Sequence, residues 1–204
     1  MKKTFLMLIA FAMVQVAQAQ IELKVNPLGA LFGRPDISAE YITSESFGIE
    51  LSTGIAFGKA PGLTVDDIYN PKQSGFSVKL AGKYYLSPQN SADGWYTALY
   101  VRQQSIKIED KTNEDYLGFK RSVFAAGIDV GRKWVMDSGF LIDFGVGFGK
   151  AISEKNEWLI DNNTSEDFGI KIGVDLTAKF AIGYRFGESG SSGKKKKSSK
   201  KRRK

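Results

Sequence analysis

Residues 168–186 read FGIKIGVDLTAKFAIGYRF, and every second residue from Phe168 to Phe186 is apolar or aromatic. The residues between them are small or polar. Side chains at positions i, i+2 and i+4 of a strand lie on the same face of a sheet. This alternation therefore predicts a β-strand with one apolar face and one polar face.

Seven further segments show the same period of two residues and complete a set of eight predicted strands. They are residues 21–31, 37–43, 47–58, 76–86, 95–104, 118–135 and 140–149. An even number of segments, each near the ~9 to 11 residues of a tilted membrane strand or somewhat longer, is typical of a closed barrel. The sequence therefore predicts an all-β fold, an eight-stranded antiparallel up-and-down transmembrane β-barrel over residues 20–186.

The predicted connections between these strands alternate in length. The short ones are residues 43–46, 87–94 and 136–139, and the long polar ones are residues 59–75, 106–117 and 151–167. Outer-membrane barrels have short periplasmic turns and long outward loops. With eight strands, this arrangement predicts that both termini lie in the periplasm.

A secreted soluble barrel of the lipocalin kind is the alternative interpretation. Its strands also alternate, but their apolar face lies inside, around a small apolar ligand. The polar face of this chain is rich in glycine, which has an entropic cost on a solvated strand and relieves crowding inside a narrow barrel. The glycines therefore favour the membrane barrel.

Two groups of side chains are candidates for the interior and for the lipid interface. Charges of both signs share the polar face, and we expect them to pair because an unpaired buried charge is costly. The interior ion-pair candidates are Glu50, Asp129, Asp143, Asp175, Lys79, Lys83, Arg121, Lys171 and Lys179. Aromatic residues gather near the strand ends of the apolar face, as in the girdles of membrane barrels. The predicted lipid-interface aromatics are Phe57, Phe76, Trp95, Trp134, Phe148, Tyr184 and Phe186.

The chain of 204 residues contains neither cysteine nor histidine. Disulfides, thiolate metal sites and catalytic Ser-His or Cys-His pairs are therefore excluded. Asp129 and Asp143 could form a pair of acid/base groups, which would make the protein a histidine-free membrane enzyme. Ion pairing with lysine is the favoured interpretation, so we expect no enzyme activity, no catalytic residue, no cofactor and no metal site.

The two ends of the chain differ in character from its body. Lys2 and Lys3 precede an apolar run and then Ala17-Gln18-Ala19, which is the order of a secretory signal peptide, predicted here over residues 1–19. The formal net charge of +7 arises at the ends, because the residues from 20 to 193 carry a net charge of −4. The body of the protein is therefore mildly acidic.

Residues 187–204 form a Gly/Ser linker and a basic tail, predicted to be disordered in the periplasm. Such a run of cations binds polyanions with little specificity. The predicted anionic-surface residues are Lys194, Lys195, Lys196, Lys197, Lys200, Lys201, Arg202, Arg203 and Lys204. Behind a signal peptide the available anions are cell-wall carboxylates and lipid headgroups, and we expect no nucleic acid partner.

Three segments carry a resemblance to a known class of proteins: LKVNPLGALFG at residues 23–33, ISAEY at 37–41 and YRF at 184–186. They resemble the small eight-stranded outer-membrane barrels of OmpA/OmpX architecture, and more closely the outer-membrane barrel proteins of unknown function from Bacteroidota. The closing strand, with Lys179, Tyr184 and Phe186, is also similar to the signal recognised by the barrel-assembly machinery. The resemblance implies a Gram-negative outer-membrane protein with an envelope-structural or surface-interaction role, whose partners are outer-membrane lipid and, during biogenesis, that machinery.

Overall fold

The computed structural model describes residues 20–31, 33–59, 71–110, 117–159, 165–167 and 171–187, so the predicted signal peptide and basic tail lie outside the described residues. The elements are β1 (Gln20–Asn26), α1 (Pro27–Leu31), β2 (Asp36–Ser44), β3 (Phe47–Ala56), β4 (Lys72–Leu86), β5 (Gly94–Asp110), β6 (Leu117–Val135), β7 (Phe140–Leu159), β8 (Ser165–Asp167) and β9 (Val174–Phe186). No helix in these ranges is long and apolar enough to span a membrane.

The strands form a closed antiparallel ring. Each strand from β1 to β7 pairs with the next one, and β9 pairs with β7. β9 also pairs with β1, where Ile21 lies opposite Phe186, and this pairing closes the ring. β8 pairs only with the outer part of β7. β1–β7 and β9 therefore make an eight-stranded barrel wall, and the predicted fold is confirmed.

The first predicted strand, residues 21–31, is wrong beyond Asn26. Pro27 begins α1, and the first turn of a helix tolerates the fixed φ and the missing N–H of proline. The Asn26 side chain caps this helix, because its Oδ1 accepts a hydrogen bond from the Gly29 N–H at 3.1 Å. Leu31, predicted to continue the apolar face of the strand, lies in the helix instead.

Strands β4, β5 and β7 are longer than the alternation predicts, and β4 begins at Lys72 instead of Phe76. β5 continues to Asp110 and β7 to Leu159, which lies opposite Gly118 of β6. Much of the predicted connections 106–117 and 151–167 is therefore strand. Main-chain hydrogen bonds between neighbouring strands stabilise these extensions, which lie beyond the residues whose alternation predicts the strands.

The last strand is shorter than the prediction over residues 168–186. β9 begins at Val174, residues 171–173 are not strand, and residues 168–170 lie outside the described ranges. Gly173 has a φ of +72°, a left-handed conformation that interrupts an extended chain.

The barrel has two unlike ends. We call the turn end the one that holds residues 20 and 186, together with the connections 45–46, 87–93 and 136–139. The loop end is opposite and holds the connections between β1 and β2, β3 and β4, β5 and β6, and β7 and β9.

The barrel wall exposes its apolar face and buries its polar face, which is the reverse of what a soluble protein does. Large apolar side chains on the outer face are exposed, with Leu99 at 71% and Leu176 at 70%. Glu22 and Lys133, in contrast, are completely buried inside the ring. An extended exposed apolar surface marks contact with a membrane or a partner.

Candidate functional site

A cluster of buried ion pairs fills the middle of the barrel. The Lys83 ammonium group lies 3.1 Å from Glu40 Oε2, 2.8 Å from Glu50 Oε2 and 2.9 Å from Asp143 Oδ2. Lys24 contacts the same three carboxylates, with its Nζ 3.1 Å from Asp143 Oδ2. We call Lys24, Glu40, Glu50, Lys83, Asp143 and Lys179 the central cluster.

Lys179 completes the central cluster from the closing strand. Its Nζ lies 2.9 Å from Glu50 Oε1 and 2.6 Å from Asp143 Oδ2. Asp143 also accepts a hydrogen bond from the Tyr96 hydroxyl at 2.9 Å. The cluster takes its members from β1, β2, β3, β4, β7 and β9, so its ion pairs cross the barrel and join strands that are not neighbours in the wall.

A second set of ion pairs continues the network toward the turn end. Lys133 Nζ lies 2.8 Å from Glu22 Oε2 and 3.1 Å from Glu40 Oε1. Arg185 donates from Nε to Glu22 Oε1 at 2.8 Å and from Nη1 to the Asn90 carbonyl at 2.7 Å. Arg185 therefore ties the closing strand to the connection between β4 and β5.

Toward the loop end the ion pairs become separate. Lys79 Nζ lies 2.6 Å from Asp129 Oδ2, and Asp129 accepts a hydrogen bond from the Thr177 hydroxyl at 3.0 Å. Arg102 pairs with Asp175, which also accepts a hydrogen bond from the Tyr100 hydroxyl at 2.8 Å. Asp129 and Asp175 thus each have their own cation.

Most of the predicted interior candidates are brought together in these groups, and two are not. Arg121 lies nearer the loop end, where its Nε donates to Glu154 Oε1 at 2.9 Å. Lys171 is exposed and precedes β9. Since this strand begins only after Gly173, the alternation that predicts an inward position does not apply to Lys171. The network also contains residues that are not among the predicted ion-pair candidates: Glu22, Lys24, Glu40, Arg102, Lys133 and Arg185.

Three tyrosines of the interior were missed by the sequence analysis. Tyr85, Tyr96 and Tyr100 are almost completely buried, and their hydroxyl groups donate to carboxylates of the network. Lysine ammonium groups also lie over the rings, for example Lys133 Nζ at 4.4 Å from the Tyr85 ring centre. The alternation along β4 and β5 places all three tyrosines on the inner face, and this pattern could have identified them as interior residues.

The interior glycines make room for these tyrosines. A Cβ atom at Gly145 would lie 2.6 Å from the Tyr96 hydroxyl oxygen, and one at Gly149 would lie 2.5 Å from that of Tyr100. Both distances are shorter than any van der Waals contact. Large side chains on β5 therefore require residues without side chains on β6 and β7.

The central cluster has the wrong composition for a metal site or an acid/base pair. Oxygen atoms of Glu40, Glu50 and Asp143 lie within 4.8 Å of one another, but the ammonium groups of Lys24 and Lys83 contact all three carboxylates. Cations of the protein itself thus neutralise the site. The Asp129 and Asp143 carboxylates belong to separate ion pairs, which favours a structural role for both.

The predicted interface aromatics lie toward opposite ends of the outer face. Trp95, Trp134, Tyr184 and Phe186 are exposed near the turn end, and Phe57, Phe76 and Phe148 are exposed nearer the loop end. The Arg132 guanidinium lies 5.5 Å from the Trp95 ring centre and 4.9 Å from that of Trp134. Its charge is therefore held at the height of the turn-end aromatics.

A polar cavity opens at the loop end, above the ion pairs. Its volume is about 320 Å³, and a second cavity of about 400 Å³ adjoins it. Arg34, Arg102 and Gln104 line both. Burial, and then the neighbouring Arg102 guanidinium, lower the pKa of Arg34 below its ordinary value.

Residues 3–185 match the family described as "Protein of unknown function (DUF3575)". The chain belongs to this family. The structure is similar to the crystal structure of a major outer membrane protein from Thermus thermophilus, with a TM-score of 0.53 and 10% identity over 82% of this chain and 98% of that chain. At this identity the likeness of the DUF3575 chain to the Thermus protein concerns the fold. No curated protein matches the sequence.

Proposed function

We propose that this protein is a non-enzymatic barrel of the outer membrane of a Gram-negative bacterium, with an envelope-structural or surface-interaction role. The main support for the proposal is that the exposed outer face is apolar, whereas the charged side chains are buried inside the barrel. Transmembrane barrels have such an apolar band, flanked by aromatic residues at both interfaces. The fold of the Thermus outer membrane protein supports the same assignment.

A structural role follows from how the interior is filled. The ion pairs of the central cluster and the buried tyrosines occupy the space where a wider barrel would hold a channel. The carboxylates of the cluster are held by lysines, which leaves no free acid/base group among them. This arrangement supports a closed barrel that acts through its surfaces.

The proposal includes the finer assignments that the resemblance implies. Residues 1–19 act as a signal peptide, both termini lie in the periplasm, and the exposed aromatics contact lipid headgroups. The barrel-assembly machinery inserts the chain. The barrel has an OmpA/OmpX-like architecture and is related most closely to outer-membrane barrel proteins of Bacteroidota. The short connections at the turn end support this orientation.

A single cysteine on the outer face tests the membrane assignment, since the chain has none of its own. Val146→Cys, labelled with a fluorophore and refolded into vesicles whose acyl chains are brominated, is expected to lose most of its fluorescence. The Val146 side chain is half-exposed on the outer face. Ala125→Cys is the control, because Ala125 is completely buried in the interior and its thiol should react only after unfolding.

The opposite labelling pattern would contradict the proposal. A soluble ligand-binding barrel would remain in solution without detergent, and the label at residue 146 would not be quenched by brominated lipid. Leu176→Cys gives a second position, because Leu176 lies on the outer face of β9 and is exposed at 70%.

We also propose that the basic tail holds the periplasmic side of the barrel to the cell wall or to anionic headgroups. Nine lysines and arginines between residues 194 and 204 support this. Deletion of residues 194–204 is expected to abolish salt-sensitive sedimentation of the refolded protein with purified cell wall. A variant with the nine cations replaced by glutamine keeps the tail length and should behave like the deletion. Unchanged sedimentation of both would end the idea.

A further inference from the structure

The loop-end cavity contains an arginine whose position is fixed by its neighbours. Gly33 has a φ of +65°, and a Cβ at this residue would lie 2.6 Å from the Phe57 carbonyl oxygen, so glycine permits the turn that presents Arg34. Arg34 Nε donates to Gln73 Oε1 at 3.0 Å. The Gln73 side chain is itself buried and donates to the Lys59 carbonyl at 3.3 Å. The hydrogen bond from its Nε to Gln73 therefore holds the Arg34 guanidinium at the cavity.

The two Nη nitrogens of the Arg34 guanidinium have no anionic partner among the described residues. In the part of the chain that the structure describes, Arg34 makes no salt bridge and its Nη atoms have no hydrogen-bond acceptor. The other cations that line the cavities each have a carboxylate, as Lys79 has Asp129 and Arg121 has Glu154. Among the cations of the cavity lining that the structure describes, the exposed Arg34 is thus the one without an ion pair; Asp36, which also lines the cavity, accepts a hydrogen bond from Asn26 Nδ2 at 2.7 Å instead of pairing with a cation.

Arg102 adds a second incompletely used guanidinium to the same cavity. Its Nη2 donates to Asp175 and to Gln104 Oε1, the latter at 3.3 Å. Its Nε is buried and has no hydrogen-bond partner. A buried N–H group without an acceptor is rare in folded proteins, so the hydrogen-bonding capacity of this guanidinium is not fully used. The positive charges of Arg102 and Arg34 repel each other. An anion bound between them would relieve this repulsion.

We propose that the loop-end cavity binds a phosphate or carboxylate group between Arg34 and Arg102. A guanidinium presents paired N–H donors that match the oxygens of either group. A cavity of about 320 Å³ lies within the size range of small-molecule sites, so the group can be carried by a small polar molecule. Ser77 and Gln104 line the cavity and offer hydrogen bonds to hydroxyl groups on that molecule.

Titration calorimetry on the refolded full chain in detergent micelles tests the site. The probes are inorganic phosphate, glucose 6-phosphate and glucuronate, with glucose as the neutral control. We expect the wild-type protein to bind at least one anionic probe, and Arg34→Gln to weaken that binding tenfold or more. Arg132→Gln removes an equal charge from the outer face at the turn end, and its affinity should equal that of the wild type.

The basic tail is present in all three proteins, so its binding of anions contributes equally and does not imitate the result. Heat-modifiable gel mobility shows that each variant is folded. Phosphate probes binding alone would identify a phosphate site, and glucuronate binding alone a carboxylate site. The proposal is overturned if no anionic probe binds, if Arg34→Gln binds as tightly as the wild type, or if glucose binds equally well. These outcomes leave the membrane assignment intact, since brominated lipid tests it separately.

Discussion

Replacement of Asp143 by asparagine is expected to lower the free energy of unfolding of the barrel by about 3–5 kcal/mol, the usual cost of breaking a buried ion pair from one side. Asparagine has almost the same shape, so the change removes the charge and little else. Lys24 and Lys83 would then keep Glu40 and Glu50, and Lys179 would keep Glu50. Lys24 and Lys83 are almost completely buried, so the excess positive charge is costly. Urea unfolding of the refolded protein in lipid vesicles measures the effect.

Asp137→Asn is the matched control for this change. Asp137 is exposed in the connection between β6 and β7, and we expect its replacement to alter the unfolding free energy by less than about 0.5 kcal/mol. A double variant, Asp143→Asn with Lys83→Met, restores the charge balance and should recover part of the loss. Equal stability of the Asp143→Asn and Asp137→Asn proteins would show that the interior is hydrated and that its ion pairs contribute little.

Replacement of Gly127 by valine is expected to prevent closure of the barrel or to lower its unfolding free energy by about 3 kcal/mol, at the upper end of the usual cost of overpacking. A Cβ at Gly127 would lie 2.5 Å from both Gly149 Cα and the Phe148 carbonyl oxygen, and 2.7 Å from the Tyr100 hydroxyl oxygen. Two of these atoms belong to the backbone of β7, which cannot withdraw without separating from β6. The folded fraction on a heat-modifiable gel measures the loss.

Gly82→Val provides the control in a comparable strand position. Gly82 lies on the outer face, where a Cβ would meet only the tip of the Phe47 ring, at 3.4 Å. Both variants exchange a strand glycine for the same β-branched residue, so the difference between them isolates the crowding of the interior. Refolding yields that are equal for the two variants would show that crowding is not the reason why the polar face is rich in glycine.

The strand count and the two faces of the wall were predictable because backbone geometry imposes a period of two on every strand. The ends of the elements were not. The alternation continued through Leu31 and began at Phe168, but Pro27 starts a helix and Gly173 interrupts the extended chain. β7 extends to Leu159 through main-chain pairing, which leaves no mark on the choice of side chains.

The charged residues illustrate a second limit. Their face was predictable, whereas their partners depend on the height of each residue in the barrel and on ring closure. Lys24 and Asp143 are far apart in the chain, yet they meet because β1 and β7 flank β9 in the closed wall. Arg121 and Lys171 were predicted on the same face, but Arg121 pairs with Glu154 near the loop end and Lys171 is exposed and precedes β9.

The pattern of residues was enough to predict an all-β barrel with an apolar side and a polar side, because a strand exposes alternate residues to opposite surfaces. The tertiary structure alone decided which carboxylate meets which lysine, which glycine faces which tyrosine, and that Arg34 and Arg102 share one cavity. These pairings depend on strand register and on distances across the barrel. Both arise only when β9 closes on β1.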